Sequence, residues 1–210
     1  MINVLVADDH AIVRRGLRQI LAETADILVG GEAATAQEVL HHVRTERWNA
    51  IILDISLPGA NGLELLAEVR KERPELPVLI LTVHSEDQYA VRAIKAGAAG
   101  FLTKESAPEK LIEAVRKVAG GGRYVSAELA ENLASFLAGE TAGAPHERLS
   151  DREFEIMKML GSGKTVSEVA RELSLSVKTV STHRTRILRK MEMHTNAELT
   201  SYAVRNRLVE

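Results

Sequence analysis

The chain has 210 residues, 45% hydrophobic and 27% charged, values that are ordinary for globular proteins and exclude disorder or a fibrous repeat. No apolar run approaches the roughly 18 residues that span a bilayer. The start, MINVLVADDH, lacks the basic region and cleavage site of a signal peptide, and without cysteine there is no disulfide, thiolate nucleophile or Cys-based zinc site. These features predict a cytoplasmic protein of two domains with no membrane partner, in which a metal must sit on oxygen or imidazole.

Five β-rich apolar runs, at residues 2–7, 27–33, 50–54, 77–82 and 99–103, alternate with amphipathic stretches such as the one carrying Val13, Leu17, Ile20 and Leu21. That alternation predicts an α/β fold, a doubly wound five-stranded parallel sheet covered on both faces. Capping-box pairs mark helix starts at Thr35/Glu38, Ser85/Gln88, Ser106/Glu109, Ser150/Glu153, Thr165/Glu168 and Thr195/Glu198. Past Gly120–Gly122 a helix over about 126–137 leads into AGETAGAPHER (138–148), a linker rich in small residues. The remainder lacks strand alternation and reads as four helices, about 151–160, 166–173, 177–191 and 196–206, with Leu149 and Phe154 as a hydrophobic staple on the first. The predicted divisions are 1–122, an α/β domain; 123–148, a helix and flexible linker; and 149–210, a small all-α domain.

The net charge of −2 is uneven: residues 146–210 carry 12 Lys and Arg against 9 Asp and Glu, a balance of +3, leaving −5 on residues 1–145. Within the basic part, Ser176–Met191 holds Lys178, Arg184, Arg186, Arg189 and Lys190 and no acid, a composition suited to nucleic acid.

Ligands of an open parallel sheet bind beyond the carboxyl ends of its strands. There the sequence places Asp8 and Asp9 (first strand), Asp54 (third), Thr82 (fourth) and Lys104 (just past the fifth). With strand order 2-1-3-4-5 the three carboxylates converge, and converging like charges call for a cation; oxygen ligands favour Mg²⁺. A carboxylate beside Mg²⁺, with a hydroxyl and an ammonium facing it, suits attack on phosphorus. Asp54 is the expected phospho-acceptor, because the loop with Pro58 and Gly62 that follows it could hold it in the open. His10 and His84 lie near the same rim and are expected to be spare surface histidines.

In the last domain VSEVARELSLSVKTVSTHRTRILRKM reads as helix, short turn, helix. Val177, Val180, Ile187, Leu188 and Met191 form a stripe that must face the other helices, while Lys178, Ser181, Thr182, Thr185, Arg186 and Arg189 share the opposite face. Short hydroxyls flanked by cations suit a helix in the major groove of DNA. A phosphohydrolase carrying a nucleic-acid domain is the rival, but it needs a second acid-base carboxylate that is not found near Asp54. The other rival is a constitutive DNA-binding protein whose first domain is never phosphorylated.

The motifs ADDH (7–10), LDISLPGANG (53–62), LTVH (81–84) and FLTK (101–104) resemble the receiver domain of bacterial two-component response regulators, a flavodoxin-like fold. Residues 149–209 resemble the LuxR-type helix-turn-helix of the NarL/FixJ response regulators. The resemblance implies a phosphorylation-activated transcription regulator rather than an enzyme, with self-phosphorylation and self-dephosphorylation as its only chemistry. It implies Asp54 as acceptor, Asp8 and Asp9 as the Mg²⁺ site with Asp54 and the Ser56 carbonyl, Thr82 and Lys104 as phosphoryl ligands, and Phe101 as a switch. Val83 after the Thr and Glu105 after the Lys depart from the commonest receiver pattern. Ser181, Thr182 and Thr185 fall on base-reading positions, Lys178, Arg184, Arg186 and Lys190 on phosphate contacts, and Leu199, Tyr202 and Ala203 on a dimer surface. The implied partners are a sensor histidine kinase, double-stranded promoter DNA, RNA polymerase and a second copy of the chain on activation.

Overall fold

The computed structural model describes the chain apart from residues 58–60, 84–85, 128, 132–143 and 210, and only the backbone of 86–88. Pro58, His84, the Ser85 cap, most of the predicted 126–137 helix and the first part of the linker lie outside the described residues. The chain divides into two compact units, Met1–Ala134 and Ser135–Glu210. No described helix is long and apolar enough to cross a membrane.

The first unit alternates strand and helix: β1 (Ile2–Ala7), α1 (Ala11–Leu21), β2 (Ile27–Ala33), α2 (Ala36–Thr45), β3 (Ala50–Leu53), α3 (Gly62–Glu72), β4 (Val78–Thr82), α4 (Glu86–Lys95), β5 (Gly100–Thr103) and α5 (Ala107–Ala119). The strands form one parallel sheet in the order β2-β1-β3-β4-β5, so the predicted doubly wound sheet is the one observed. Side chains alternate across it. Val4, Val6, Ile52, Leu79 and Leu81 pack with Leu17 and Leu21 of α1 and Leu111, Val115 and Val118 of α5 on one face. Their neighbours Leu5, Ile51, Leu53 and Ile80, pointing the other way, are buried as well. Strands buried on both faces are runs of continuous apolar residues, which is why they could be read from the sequence.

Register decides where the acids go. Ala7 pairs with Leu53, so the next residues along, Asp8 and Asp54, leave the sheet side by side. Gly62 at the start of α3 makes room for the Asp54 loop: a Cβ there would lie 2.3 Å from Ile55 Cα. Asn61, a cap the sequence reading missed, accepts the Leu63 amide.

The first described element of the second unit is a short 3₁₀ turn, Pro145–Arg148, where the sequence suggested only linker. His146 ties it down, its Nδ1 lying 2.7 Å from the Tyr202 hydroxyl. Four helices follow: α6 (Asp151–Gly161), α7 (Val166–Glu172), α8 (Val177–Lys190) and α9 (Asn196–Arg205). Both halves of a capping box are formed at Ser150/Glu153 and Thr165/Glu168. Thr35 and Thr195 also cap, but their glutamates reach one residue further back, to the amides of Ala34 and His194. The Ser106 box does not form, because the Ser106 hydroxyl is spent on the Thr103 carbonyl. Leu149 and Phe154 are both buried, as a staple requires.

One buried carboxylate joins two of these helices. Glu153, 5% exposed at its side chain, accepts the Ser150 amide and lies 2.6 Å from Lys190 Nζ at the far end of α8. Burial alone would raise its carboxyl, but the Lys190 ammonium and the Ser150 amide overcome this and hold it below the ordinary value of 4.5. A depressed carboxyl stabilises the fold fully above that ordinary value, and the contribution is lost as pH falls through the folded one. Lys190→Ala and Glu153→Gln should each destabilise the second unit by about 1–3 kcal/mol at pH 7, with the deficit shrinking towards pH 3. Thermal denaturation followed by circular dichroism against pH checks this; a deficit that stays constant to pH 3 would rule out the ion pair as its cause.

Candidate functional site

Asp8 and Asp54 are 1% and 2% exposed, so the expectation that Asp54 stands in the open is corrected: its carboxylate is roofed by Lys104. Lys104 Nζ lies 2.6 Å from Asp54 Oδ2 and 2.6 Å from Asp8 Oδ2. The lysine is carried there by its backbone, whose amide donates to the Thr82 carbonyl at 2.7 Å, continuing the β4–β5 ladder. Asp54 Oδ1 accepts the Ser56 amide at 3.0 Å, which folds the chain back over the carboxylate. Burial pushes the Asp54 carboxyl above the ordinary carboxylate range, with the Lys104 ammonium pulling against it. Lys104 itself is held above its usual range, the two carboxylates outweighing its own burial.

Asp9 is half-buried and points to the same edge. His10 is exposed, yet it is not spare: its Nδ1 lies 2.7 Å from Asp9 Oδ1 and 3.5 Å from Asp8 Oδ1. One potential ligand atom from each of Asp8, Asp9 and His10 falls within 4.8 Å of the others. Thr82 is fully buried at the end of β4, and Phe101 is 2% exposed in β5. The structure thus brings Asp8, Asp54 and Lys104 into direct contact, with Asp9, Ser56 and Thr82 on adjoining strand ends and loops. Hard carboxylate oxygens in excess over one ammonium fit a divalent cation such as Mg²⁺.

In the second unit α7 and α8 form the helix-turn-helix, with Ser174 at a left-handed φ of 53° in the turn. Val180, Ile187, Leu188 and Met191 are buried as predicted, whereas Val177, in the first turn of α8, is 52% exposed because the helix start projects beyond its neighbours' packing. Lys178, Ser181, Thr182, Thr185, Arg186 and Arg189 are all exposed on one side. Thr182, Thr185, Arg186 and Arg189 line one open depression. The Thr182 and Thr185 hydroxyls donate to the Lys178 and Ser181 carbonyls, so each oxygen remains available as an acceptor.

Two of the predicted phosphate contacts already have work inside the domain. Lys190 pairs with Glu153, and Arg184 Nε donates to Asn196 Oδ1 at 2.6 Å, fastening α8 to the start of α9. Two of the three predicted dimer residues need correction: Leu199 and Ala203 are 0% exposed because α9 turns them onto α6, whereas Tyr202 is partly exposed and lies within hydrogen-bonding distance of His146. The exposed residues of α9 are Ala197, Glu198, Ser201, Val204 and Arg205.

Comparison with known proteins identifies the two domains. Residues 4–116 match the response regulator receiver domain, and residues 147–203 match the luxR family of bacterial regulatory proteins. The chain is 38% identical over 209 residues to the response regulator UvrY of Escherichia coli, covering 99% of this chain and 96% of that one. It is 36% identical over 212 residues to the response regulator GacA of Pseudomonas aeruginosa, with 100% and 99% covered. Among solved structures, RcsB of Salmonella enterica serovar Typhimurium, bound to a promoter in the presence of a phosphomimetic, is similar with a TM-score of 0.69 at 25% identity, covering 96% of this chain and 97% of that one. The chain therefore belongs to the response regulators of two-component systems, as a transcription regulator that joins a receiver domain to a LuxR-type DNA-binding domain.

Proposed function

We propose that Asp54 accepts a phosphoryl group from the phosphohistidine of a sensor kinase and that the modified chain dimerises on promoter DNA. The observation that carries this is the buried cluster of Asp8, Asp54 and Lys104. An Asp54 oxygen forms the new O–P bond as the donor's N–P bond breaks, and the leaving imidazole takes up a proton. Burial that raises the Asp54 carboxyl also makes its anion a better nucleophile. Lys104, already paired with that carboxylate, turns its ammonium to the phosphoryl oxygens, and Thr82 offers them its hydroxyl. Asp8, Asp9, Asp54 and the Ser56 carbonyl would hold Mg²⁺, which supplies neutralisation of charge on the transferring group when bound. Phe101 is the proposed relay of the change at Lys104.

Incubation with a small acyl-phosphate donor and Mg²⁺ should add one phosphoryl group by intact-mass spectrometry. Asp54→Ala should abolish it, and Asp9→Ala should slow it and remove its dependence on Mg²⁺. Labile, stoichiometric phosphate on Asp54→Ala would overturn the assignment.

For DNA, Arg186→Ala should weaken binding to all sequences and lower the salt slope by about one counterion. Thr182→Ala and Thr185→Ala should change sequence preference, by about 1–3 kcal/mol per lost base contact. Lys190 and Arg184 are proposed phosphate contacts that also serve internal partners, so Lys190→Ala should lower stability and reduce the salt slope by less than Arg186→Ala does. Fluorescence anisotropy on matched and scrambled duplexes at several salt concentrations separates these cases. Uniform loss of affinity for the two threonine variants would mean that a different face reads the bases.

One helix-turn-helix reads few base pairs, so specificity calls for two copies on two half-sites, where RNA polymerase is the further partner. Phosphorylation that favours a dimer raises the effective concentration of the second DNA-binding domain. By analytical ultracentrifugation and anisotropy, the phosphorylated chain should be dimeric and bind a promoter fragment more tightly than the unmodified chain. Equal binding and equal dimerisation of the two forms would favour a constitutive regulator.

A further inference from the structure

Asp9 is presented by a three-residue loop between β1 and α1, so the origin of its side chain is set by how the Asp8–Asp9 peptide is held, while His10 lies against the carboxylate itself. On one side the Asp8 amide donates to the Ala33 carbonyl at 3.0 Å, extending the β1–β2 ladder by a residue. The His10 amide donates to Asp8 Oδ1 at 2.8 Å, which fixes the Asp8 side chain. The peptide carbonyl itself is held by a side chain from one turn into α1: Arg14 Nη1 donates to Asp8 O at 2.6 Å.

That guanidinium is anchored a second time. Arg14 Nε donates to Glu32 Oε2 at 2.9 Å, and Glu32 also pairs with Arg18. Arg14 is only 16% exposed at its side chain and Glu32 27%, so the arrangement is sheltered from solvent. Glu32 lies in β2, next to Ala33, which takes the Asp8 amide. The planar fork of an arginine meets two acceptors in fixed directions, which the single ammonium of a lysine cannot do.

We propose that Arg14 is a positioning residue for the acidic pocket: by clamping the Asp8 carbonyl to Glu32 it fixes the Asp8–Asp9 peptide so that both carboxylates meet a divalent cation. It touches neither the phosphoryl group nor the cation and acts through the peptide. The inference rests on the reading of the pocket as an Mg²⁺ site. Partners that orient metal ligands from outside the coordination sphere typically account for 10–100-fold in metal affinity.

The test titrates the full chain with Mg²⁺ alone by isothermal titration calorimetry, and melts the same proteins without Mg²⁺. Arg14→Ala should weaken Mg²⁺ about tenfold, Arg14→Lys should recover part of that loss, and Glu32→Gln should fall between the parent and Arg14→Ala. Phosphoryl incorporation by Arg14→Ala should return to within about twofold of the parent at saturating Mg²⁺. Should Arg14→Ala not fold, Arg14→Lys carries the test, with Mg²⁺ bound a few-fold more weakly than by the parent. A folded Arg14 variant that melts lower but binds Mg²⁺ like the parent would show the guanidinium to be a staple between α1 and β2 and overturn the proposal. A parent chain that takes up no Mg²⁺ would instead overturn the reading of the pocket, and this inference with it.

Discussion

Two carboxylates with almost no exposure to water, separated by the width of one ammonium, are the constraint on which the receiver depends. Leaving such groups uncompensated costs several kcal/mol per charge. Lys104 provides compensation, and it reaches both acids only because the sheet order puts β1 beside β3 and lets the β5 exit loop hang from the end of β4. Close packing of the strands is therefore what makes the charge arrangement possible. Asp8 and Asp54 outnumber the one ammonium, and Asp9 adds a third carboxylate at the same edge. That surplus is a stored attraction for cations, and it makes the position of the ammonium sensitive to any new charge on Asp54.

The second unit handles charge differently. Its basic helix divides its cations between two tasks. Those on the outward side, Lys178, Arg186 and Arg189, are exposed to solvent. Those towards the flanks, Arg184 and Lys190, satisfy groups of neighbouring helices. Lys190 is the clearer case, because Glu153 is also the second half of the capping box that starts α6. One carboxylate thus serves the first turn of one helix and the last turn of another, and the outward face is held in place from behind.

The five strands and the four helices of the second unit could be read from the sequence to within a residue or so because they rest on periodicity, which is local. Buried parallel strands are continuous apolar runs, and the helices have one apolar stripe each. The acidic pocket was readable for a related reason: residues at strand ends converge once strand order is given. What could not be read was the partner of a long side chain. Nothing near Lys190 signals a carboxylate 37 positions earlier, and nothing near Tyr202 signals His146. Leu199 and Ala203 fit either a dimer surface or a core, since an apolar stripe is the same pattern in both cases, and the structure resolves it as core. Ser106 failed as a cap because the pattern records a hydroxyl but not the competing carbonyl of Thr103. The turn of the helix-turn-helix was visible from its neighbours alone, since its left-handed residue is a serine and not the glycine that usually marks such a position.

Each unit has its own buried core. That separation bears on how a charge placed on Asp54 could alter DNA binding. The segment that joins the two domains, AGETAGAP (138–145), is rich in glycine and alanine. If receivers associate, each brings its own DNA-binding domain, and the second domain meets its half-site at a concentration set by the length of the joining segment, with no change in its own structure. On the proposed reading, the receiver therefore acts on DNA binding by association, while the recognition helix keeps one rigid, internally buttressed conformation in both states.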